Sequence, residues 1–402
     1  MSYPLLKIKN FGPIKDIEIE LKPFTIFIGP NSAGKSTLCK VIASILNLNK
    51  HVNIIINAAI NSGSSIQLSN KEIKISDSNL KINFLTEFRI SDYFSEETKI
   101  SLIEKNSKFH LEDNLIIYSF EETDDSSVLL LSSILEILKN TELLNNIQFN
   151  FKILKDDIIY IPSERGIFTK IKQDDYVLIN LSEENNYYLL NYLQKYSIAR
   201  RELKEFKSED LKISYKYNDG SNEEFSYSSN DYFPTYLASS GIRNILSMAL
   251  PIEHAAGKNN ASTIILEEPE ISLYPDNQFE FIKYLIKTKN TTKNINHIIV
   301  STHSTDVLGT FSISAYAGYL LKKYPNLNDD ILRILSDLKF DDKCLINNED
   351  LVAYYVKDGT CHKILIDEDN FLAIDDEELL KVSNFTGRII NELYELASKN
   401  NQ

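Results

Sequence analysis

The sequence predicts an α/β protein in which a mostly parallel central sheet is accompanied by an antiparallel β lobe. Short, fully apolar segments that suit buried parallel strands recur along the chain and alternate with helical segments. The opening stretch instead alternates apolar and charged residues, as half-exposed antiparallel strands do. The 402 residues, of which 43% are hydrophobic, can also bury a large core.

The opening segment predicts two paired strands, a buried strand and a helix, in that order. An apolar pattern starts at Leu6, Gly12-Pro13 marks a turn, and a second alternating pattern runs from Ile17 to Leu21. Phe24–Ile28 is a short apolar run that suits a buried parallel strand. It leads directly into a glycine loop and a helix expected over Lys35–Leu48.

Residues 51–155 have the pattern of an insertion and carry no chemical motif. We expect alternating strands near Glu72–Ile75 and Leu80–Phe84 and a helix over Ser127–Leu144. The segment lacks sustained heptads, which argues against a long coiled-coil arm.

The second half of the chain alternates strands and helices, as a parallel α/β core does. The expected elements are a strand at Ile158–Ile161, a helix over Leu189–Lys207, a hairpin that turns at Asn218-Asp219-Gly220, a helix over Gly241–His254, a strand at Thr263–Leu266, a helix over Gln278–Lys287, a strand at His297–Ser301, and a tail of helices, a hairpin at Asp358-Gly359 and a final helix.

These patterns predict one split domain with inserted and appended regions. Its parts are core pieces 1–50, 156–172 and 234–310, the insertion 51–155, a helical and hairpin lobe 173–233, and a C-terminal accessory region 311–402.

Composition narrows the functional classes. No apolar stretch reaches the roughly 18 to 20 residues that span a bilayer, and the N-terminus lacks a secretory layout, so we expect a cytoplasmic protein with no membrane contact. The three cysteines have no paired spacing, which argues against disulfides or a zinc site. The net charge of −14 confines any nucleic-acid contact to a local patch.

The strongest motif is the segment Gly29–Thr37, which matches the Walker A pattern G-x-x-x-x-G-K-[ST] between a predicted strand and a predicted helix. Such a loop turns its N–H groups inward around phosphate oxygens, and the helix N-terminus adds positive potential. Lys35 would contact the β- and γ-phosphates of ATP, and Ser36 would bind Mg²⁺. A chance glycine turn is the alternative. The residues expected to bind nucleotide here are Gly29, Asn31, Ser32, Ala33, Gly34, Lys35, Ser36 and Thr37.

A second motif places consecutive carboxylates at the end of the apolar strand that precedes Pro269. Ligands bind at the carboxyl edge of a parallel sheet, so these side chains would reach the phosphates. We expect Glu267 to hold Mg²⁺ and Glu268 to activate the attacking water. The alternative is a solvated acidic turn.

Two further segments complete the pattern. His303 follows another apolar strand, where a histidine can sense the γ-phosphate, although a lone histidine is more often structural. Ser239 and Gly241 open an apolar helix whose N-terminus suits an anion. An ordinary serine N-cap is the alternative for that segment. If the segment Ser239–Gly241 faced the glycine loop of a second subunit, it would close a composite site.

These four motifs, in this order, resemble the ATP-binding-cassette heads of the SMC/RecF superfamily, and most of all the ATPase domain of OLD-type phage-defence proteins. The opening segment Lys7–Ile14, the Glu-Glu-Pro-Glu segment and Tyr160–Arg165 carry further likeness to that group. We find no TOPRIM nuclease motif like the one that OLD proteins carry, and interpret the acidic segment Asp367–Asp369 as a hairpin turn.

The resemblance implies an ABC-type head that forms a head-to-tail homodimer, or a higher homo-oligomer, with ATP between the glycine loop of one copy and Ser239–Gly241 of the other. Ser240 and Ile242 depart from the commoner signature. No glutamine occupies the Q-loop region, where Glu164 or Arg165 could contact Mg²⁺ or phosphate instead.

Four functions follow as hypotheses. The first is an ATPase that acts as a nucleotide-driven switch or sensor in anti-phage defence, with a separate effector such as a nuclease or toxin. The second is a RecF-like repair or maintenance ATPase that clamps DNA. A basic cluster on the predicted helix, Arg200, Arg201, Lys204 and Lys207, could serve it, although a solvated face is the simpler interpretation. The third is a scaffold that binds ATP without turnover, and the fourth is a transporter subunit, against which the altered signature and the insertion argue.

Overall fold

The computed structural model describes most of the chain in eleven segments and three single positions near the C-terminus. These are residues 3–46, 65–69, 72–76, 97–104, 107–112, 115–120, 157–170, 187–218, 222–228, 231–368 and 371–374, and residues 392, 393 and 395. The chain divides into two units. The first comprises Met1–Lys22, Ser32–Ile158 and Val356–Cys361, and the second comprises Pro23–Asn31, Ile159–Tyr355 and His362–Gln402.

Strands and α-helices follow one another along the described part of the chain. In order, they are β1 (Leu5–Phe11), β2 (Ile14–Glu20), β3 (Phe24–Ile28), α1 (Lys35–Leu46), β4 (Ser65–Ser69), β5 (Glu72–Ser76), β6 (Lys99–Glu104), β7 (Ser107–Glu112), β8 (Leu115–Phe120), β9 (Asp157–Ile161), α2 (Tyr187–Leu203), β10 (Glu205–Ser208), β11 (Ile213–Asn218), β12 (Asn222–Tyr227), β13 (Phe233–Pro234), α3 (Ser240–Gly257), β14 (Ser262–Glu267), α4 (Pro275–Thr291), β15 (Ile295–Thr302), α5 (Thr305–Lys323), α6 (Asn328–Ser336), β16 (Leu351–Lys357), β17 (Thr360–Lys363), β18 (Leu365–Glu368) and β19 (Phe371–Ile374).

The first unit is built on an antiparallel sheet with the spatial order β4-β5-β8-β7-β6-β1-β2. Alternation decides which side chains it buries: Leu6 and Ile8 are fully buried on β1, whereas Lys7 and Lys9 are ion-paired to residues of β2. Gly12 takes the left-handed backbone that the turn between β1 and β2 requires. The predicted pair of opening strands is therefore confirmed.

The predicted insertion contributes strands to this same sheet. Five strands, β4 to β8, lie within residues 51–155, and β6 pairs with β1 along the register Leu5↔Ile103 to Lys9↔Lys99. The strand expected at Leu80–Phe84 and the helix expected over Ser127–Leu144 lie outside the described residues. The domain boundaries stay a prediction.

The second unit contains the parallel sheet, in the order β16-β3-β15-β14-β9. The pairs β16–β3, β3–β15 and β15–β14 are all parallel. Every residue of β3 and of β14 is buried, as expected for strands of a parallel sheet. The predicted fold class, α/β with a mostly parallel central sheet and an antiparallel β lobe, is confirmed.

The C-terminal region adds β16 to the parallel sheet at a position that the sequence did not predict. A hairpin about Asp358-Gly359 was expected, and β16 and β17 flank that turn. The register of β16, from Leu351↔Phe24 to Tyr355↔Ile28, sets it directly beside β3. Strand periodicity predicts a strand but carries no information about its neighbour, so this pairing needed the tertiary structure.

A separate antiparallel sheet, β10-β11-β12-β13, contains the hairpin that was predicted around Asn218-Asp219-Gly220. The helix before it is shorter than expected. It ends at Leu203 because Lys204 adopts a left-handed backbone with φ of 52° and donates its N–H to the carbonyl of Arg200. Lys207 consequently lies on β10 and not on the helix.

Because α2 ends at Leu203, the residues of the predicted basic cluster do not all lie on one helix. Arg200 is buried and forms an ion pair with Glu223 of β12, and its guanidinium lies over the ring of Tyr196. Lys204 and Lys207 are not on the helix that was to present them with Arg200. The expected single basic helix face is therefore wrong.

Two negative findings concern the described residues alone. None of the described helices is both long enough and apolar enough to cross a bilayer. The described part of the chain also contains no group of three or more histidine, cysteine, aspartate or glutamate side chains arranged to hold a metal ion. Asp367 and Glu368 lie on β18, which forms a hairpin with β19, and the final helix expected at the C-terminus falls largely outside the described residues.

The ion pair between Arg200 and Glu223 predicts a stability difference. Glu223→Gln leaves a buried guanidinium without its carboxylate, so we expect a loss of about 3 kcal/mol in the free energy of unfolding. Glu18→Gln removes the exposed partner of Lys7 and should cost less than about 1 kcal/mol. Urea denaturation of both variants checks this. Equal stabilities would contradict it.

Candidate functional site

The glycine loop leaves β3 after Ile28 and enters α1 at Lys35. Ser32 and Gly34 have φ of 61° and 99°, so the loop contains left-handed backbone at two positions. Such backbone turns successive N–H groups toward one concave side, which is the geometry that binds phosphate. Leu38 donates its N–H to the carbonyl of Gly34 at 2.9 Å, which begins the helix directly after the loop. The local conformation is thus the one that the motif predicts.

The residues of the loop differ in exposure. Lys35 is the first residue of α1 and is only 5% exposed. The remaining predicted positions divide into exposed Asn31 and Ser32, half-buried Gly34 and Ser36, and buried Gly29, Ala33 and Thr37.

The predicted acidic pair ends β14. Glu267 is the last residue of the strand and is 1% exposed, whereas Glu268 adopts a left-handed backbone with φ of 43°. A side chain with Cβ is rarely found there, and the conformation costs about 1 to 2 kcal/mol. The N–H of Glu268 donates to the carbonyl of Ser301 at 2.7 Å, so the ladder with β15 continues one residue past the strand before the chain turns.

Register places the ends of three strands at one edge of the sheet. Glu267 pairs with Ser301 of β15, and Ser301 pairs with Phe27 of β3. Parallel strands present their carboxyl ends on the same side. The acidic pair, His303 and the beginning of the glycine loop at Gly29 therefore lie along one edge, although they are far apart in sequence.

His303 faces the second glutamate of the pair. Its Nε2 atom lies 3.6 Å from Oε1 of Glu268. The backbone of the histidine is held by another carboxylate: Glu270 accepts the His303 N–H at 2.7 Å and the Thr302 hydroxyl at 2.9 Å. Sequence reasoning assigned no role to Glu270, although a third glutamate directly after the proline was a signal that it could have used.

Arg165 donates hydrogen bonds to the backbone at the end of the acidic strand. The side chain is fully buried and donates hydrogen bonds to the carbonyls of Pro162, Glu267 and Glu268, at 2.9, 2.7 and 2.7 Å. The structure does not support a phosphate contact by Arg165, because the side chain is fully buried and its Nη1 and Nη2 atoms donate to backbone carbonyls. The neighbouring Ser163 donates its N–H to Oε2 of Glu267 at 3.4 Å.

The predicted signature segment begins α3. Ser239 is the N-cap, and its side chain accepts the N–H of Ile242 at 3.3 Å, as the ordinary capping alternative requires. A Cβ on Gly241 would come within 3.1 Å of the carbonyl of Ser272. Asn244 donates its side-chain amide to the carbonyl of Ile271. The helix start therefore packs on the loop that follows the acidic strand.

The loops after β14 and β15 are also tied together. Gln278, on the first turn of α4, donates to the carbonyl of Leu273 at 3.0 Å and accepts the hydroxyl of Ser304 at 2.6 Å. Ser304 in turn caps α5 by accepting the N–H groups of Asp306 and Val307. A side chain near the start of one helix thus fixes the loop that carries His303.

Comparison with known proteins identifies the family. The family model described as AAA ATPase domain matches residues 4–204 and 179–308. The chain belongs to the AAA ATPase domain family. The expectation of an ATPase domain is confirmed.

Individual relatives of this ATPase domain are distant. A stretch of 41 residues is 44% identical to the OLD nuclease of Thermus scotoductus, and it spans 10% of this chain and 8% of that protein. The SMC head domain from Thermotoga maritima is 16% identical with a TM-score of 0.38, covering 77% of this chain and 92% of that one. A nucleotide-free ATP-binding cassette from an ABC transporter is 10% identical with a TM-score of 0.35, covering 96% and 98%. Structural likeness at this level adds nothing to the family match.

The donor chemistry of the ATPase domain suits Mg²⁺ and a triphosphate. Ser36 offers a hydroxyl and Glu267 a carboxylate, and both are the hard oxygen ligands that Mg²⁺ prefers. The left-handed loop and the helix start at Lys35 suit the phosphates themselves.

The contacts of Glu270 predict how the histidine loop is stabilised. Glu270→Gln replaces one of two acceptor oxygens by a donor, so either Thr302 or His303 loses its hydrogen bond. We expect a loss of about 1 to 2 kcal/mol in the free energy of unfolding, measured by urea denaturation. Glu349→Gln, at an exposed side chain 3.9 Å from Lys322, is the matched control and should leave stability unchanged. A Glu270→Gln protein as stable as this control would contradict the role of Glu270.

Proposed function

We propose that the chain binds and hydrolyses ATP with Mg²⁺ and works as a nucleotide-driven dimer switch. The observation that carries the proposal is the common edge of β3, β15 and β14, where the glycine loop begins and where the acidic pair and His303 end their strands. A phosphate loop, a metal-binding carboxylate and a base for water at one sheet edge are the parts that phosphoryl transfer to water requires.

Each predicted residue has a role in this proposal. The N–H groups from Gly29 to Thr37 bind the phosphates, and Lys35 neutralises charge on the β- and γ-phosphates. Ser36 and Glu267 would hold Mg²⁺, which supplies positive charge to the leaving phosphates when it is bound. The burial of Glu267 favours this role because a buried carboxylate needs a cation or hydrogen bonds to remain charged.

The chemical step falls to Glu268 and His303. Glu268 orients a water molecule and accepts its proton as the water oxygen attacks the γ-phosphorus and the bond to the β–γ bridging oxygen breaks. His303, 3.6 Å from that carboxylate, contacts the γ-phosphate and keeps Glu268 in place. ADP and phosphate are the products.

Glu164 is the stronger candidate for the position of the missing Q-loop glutamine. Arg165 is buried against carbonyls, whereas the Glu164 side chain is exposed. Its carboxylate accepts the Tyr188 hydroxyl at 3.3 Å and the Ser163 hydroxyl at 3.2 Å. Ser163 also contacts Glu267 through its N–H, so Glu164 lies next in sequence to a residue that touches the proposed metal ligand.

The proposed dimer, or higher homo-oligomer, uses the signature segment. The start of α3 offers N–H groups and positive potential to the nucleotide of a second copy, through Ser239 and Gly241. Tyr236 and Leu237, which directly precede this segment, are 53% and 62% exposed. Large exposed apolar side chains beside an anion-binding helix start support a protein partner at this surface.

Two substitutions test the ATPase. Lys35→Ala removes a charge-assisted contact worth about 1.5 to 3 kcal/mol, so we expect nucleotide affinity to fall roughly 10- to 100-fold. Glu268→Gln should keep affinity but lower kcat by about 10² to 10⁴, because the base is lost. It should also raise the dimer fraction in ATP, measured by analytical ultracentrifugation.

Lys40→Ala, on the same helix as Lys35, is the matched control and should retain turnover. A Lys35→Ala protein that hydrolyses ATP at the full rate would end the proposal. Full turnover by Glu268→Gln would remove Glu268 as the base, and tight ATP binding by the wild type without turnover would favour the scaffold alternative.

For the biological role, we propose a switch or sensor in anti-phage defence that acts on a separate effector such as a nuclease or toxin. The support is the resemblance to OLD-type proteins and the short match to an OLD nuclease. The alternative is a RecF-like clamp on DNA. The basic helix face that would have favoured the clamp is absent from the described residues, since Arg200 is buried in an ion pair and Lys207 lies on a strand.

Phage challenge and DNA binding separate these roles. We expect cells that carry the gene with its native neighbours to resist phage, and to lose resistance when Lys35 is replaced by alanine. The same purified protein should show only weak DNA binding in a mobility-shift series from about 50 to 200 mM salt. Tight binding with a steep salt dependence, together with unchanged phage sensitivity, would favour the DNA clamp.

A further inference from the structure

The hydrogen bonds of Arg165 bracket one residue of the site, Glu268. The carbonyl of Glu267 belongs to the peptide group before the Cα atom of Glu268, and the carbonyl of Glu268 belongs to the peptide group after it. Nη1 of Arg165 donates to the first carbonyl and Nη2 to the second, both at 2.7 Å. One planar guanidinium therefore holds the two peptide planes that flank Glu268.

Those two planes determine where the Glu268 side chain points. The direction of a Cα–Cβ bond follows from φ and ψ, and these angles describe how the flanking peptide planes rotate about Cα. At Glu268 the φ of 43° lies in the left-handed region, which a residue with Cβ occupies only when its surroundings enforce it. The hydrogen bonds from Arg165 are such an enforcement, together with the bond from the Glu268 N–H to Ser301.

The guanidinium suits this task better than another cation would. Arginine offers donors in a rigid fork, whereas a lysine ammonium is a single point charge that cannot hold two carbonyls in a fixed relative orientation. A third bond, from Nη1 to the carbonyl of Pro162 at 2.9 Å, fixes the fork to the segment that follows β9. Burial lowers the pKa of Arg165 to about 10, so the side chain remains charged at neutral pH.

Arg165 also leaves the reactive side chain accessible. Its Nη1 and Nη2 atoms donate to backbone oxygens, while Oε1 of Glu268 lies 3.6 Å from His303 and the Glu268 side chain is 29% exposed. A residue that paired directly with this carboxylate would lower its basicity and compete with water for it.

We propose that Arg165 is a positioning residue for ATP hydrolysis, which holds Glu268 in its left-handed conformation and thereby aims its carboxylate at the attacking water. This inference rests on the proposed function, in which Glu268 is the base. It assigns Arg165 to the geometry of the chemical step and not to the binding of nucleotide.

The test separates kcat from nucleotide binding in Arg165→Lys. The expected result is a fall in kcat of about 10- to 100-fold, because a displacement of about 1 Å at a catalytic group has an effect of that order. The Kd for a non-hydrolysable ATP analogue should stay within about threefold of the wild-type value. Both are measured at a temperature well below the melting temperature of the variant, so that the folded fraction is the same.

Arg165→Gln is the second variant, in case the lysine at this buried position prevents folding. Arg200→Lys is the matched control, because Arg200 is also a buried arginine of the second unit and lies outside the proposed site. It should lower the melting temperature and leave kcat within about twofold. A purely structural role for Arg165 predicts the same behaviour for Arg165→Lys as for this control.

The experiment distinguishes a failure of the positioning role of Arg165 from a failure of the proposed ATPase function. If the wild type does not hydrolyse ATP, or Glu268→Gln retains full turnover, the proposed function fails. If the wild type is active and Glu268→Gln is not, but a folded Arg165 variant retains wild-type kcat, the positioning role is overturned. An Arg165 variant that loses nucleotide affinity in proportion to kcat would overturn it as well.

Discussion

The structure depends on the parallel register of three adjacent strands, in which Glu267 lies beside Ser301 and Ser301 beside Phe27. A parallel sheet collects the carboxyl ends of its strands on one edge, so segments from distant parts of the chain meet there without any long-range motif to direct them. Every residue of β3 and β14 is buried, and both strands have apolar residues at their centres. Their hydrophobic burial holds the polar segments that follow them at this edge.

Beyond the strand ends, hydrogen bonds from polar side chains stabilise the loops, and these side chains are half-buried at Glu270 and Gln278 and buried at Arg165. Glu270 accepts hydrogen bonds from the Thr302 hydroxyl and the His303 N–H. Gln278 connects the loops after β14 and β15, and Arg165 binds the peptide groups on either side of Glu268. Buried charged groups are costly unless each finds its partners. These contacts fix the backbone around the acidic pair and the histidine, and the proposed phosphoryl transfer requires such a fixed geometry.

The signature segment packs against the loop that follows the acidic strand. Gly241 and Asn244 lie against the loop of Ile271 and Ser272, which continues from the acidic strand. In the proposed dimer the start of α3 contacts the nucleotide of the other copy, while its own chain carries Glu268 only a few residues before that loop. The start of α3 and the backbone after Glu268 are therefore in direct contact within one chain, at the two places where the proposed dimer would bind its two nucleotides.

The sequence by itself determined the parts of this protein that depend on local chemistry. The glycine loop, the apolar strands, the acidic pair and the helix that begins at Ser240 follow from side-chain pattern and backbone preference, and the α/β fold class and ATPase family follow from their order. Only the tertiary structure decided that β16 lies beside β3, that Arg200 is buried against Glu223, and that Arg165 and Glu270 serve the backbone around Glu268 and His303. These are pairings between residues that lie apart along the chain, and a periodic pattern specifies which face of an element is buried but not which element will cover it.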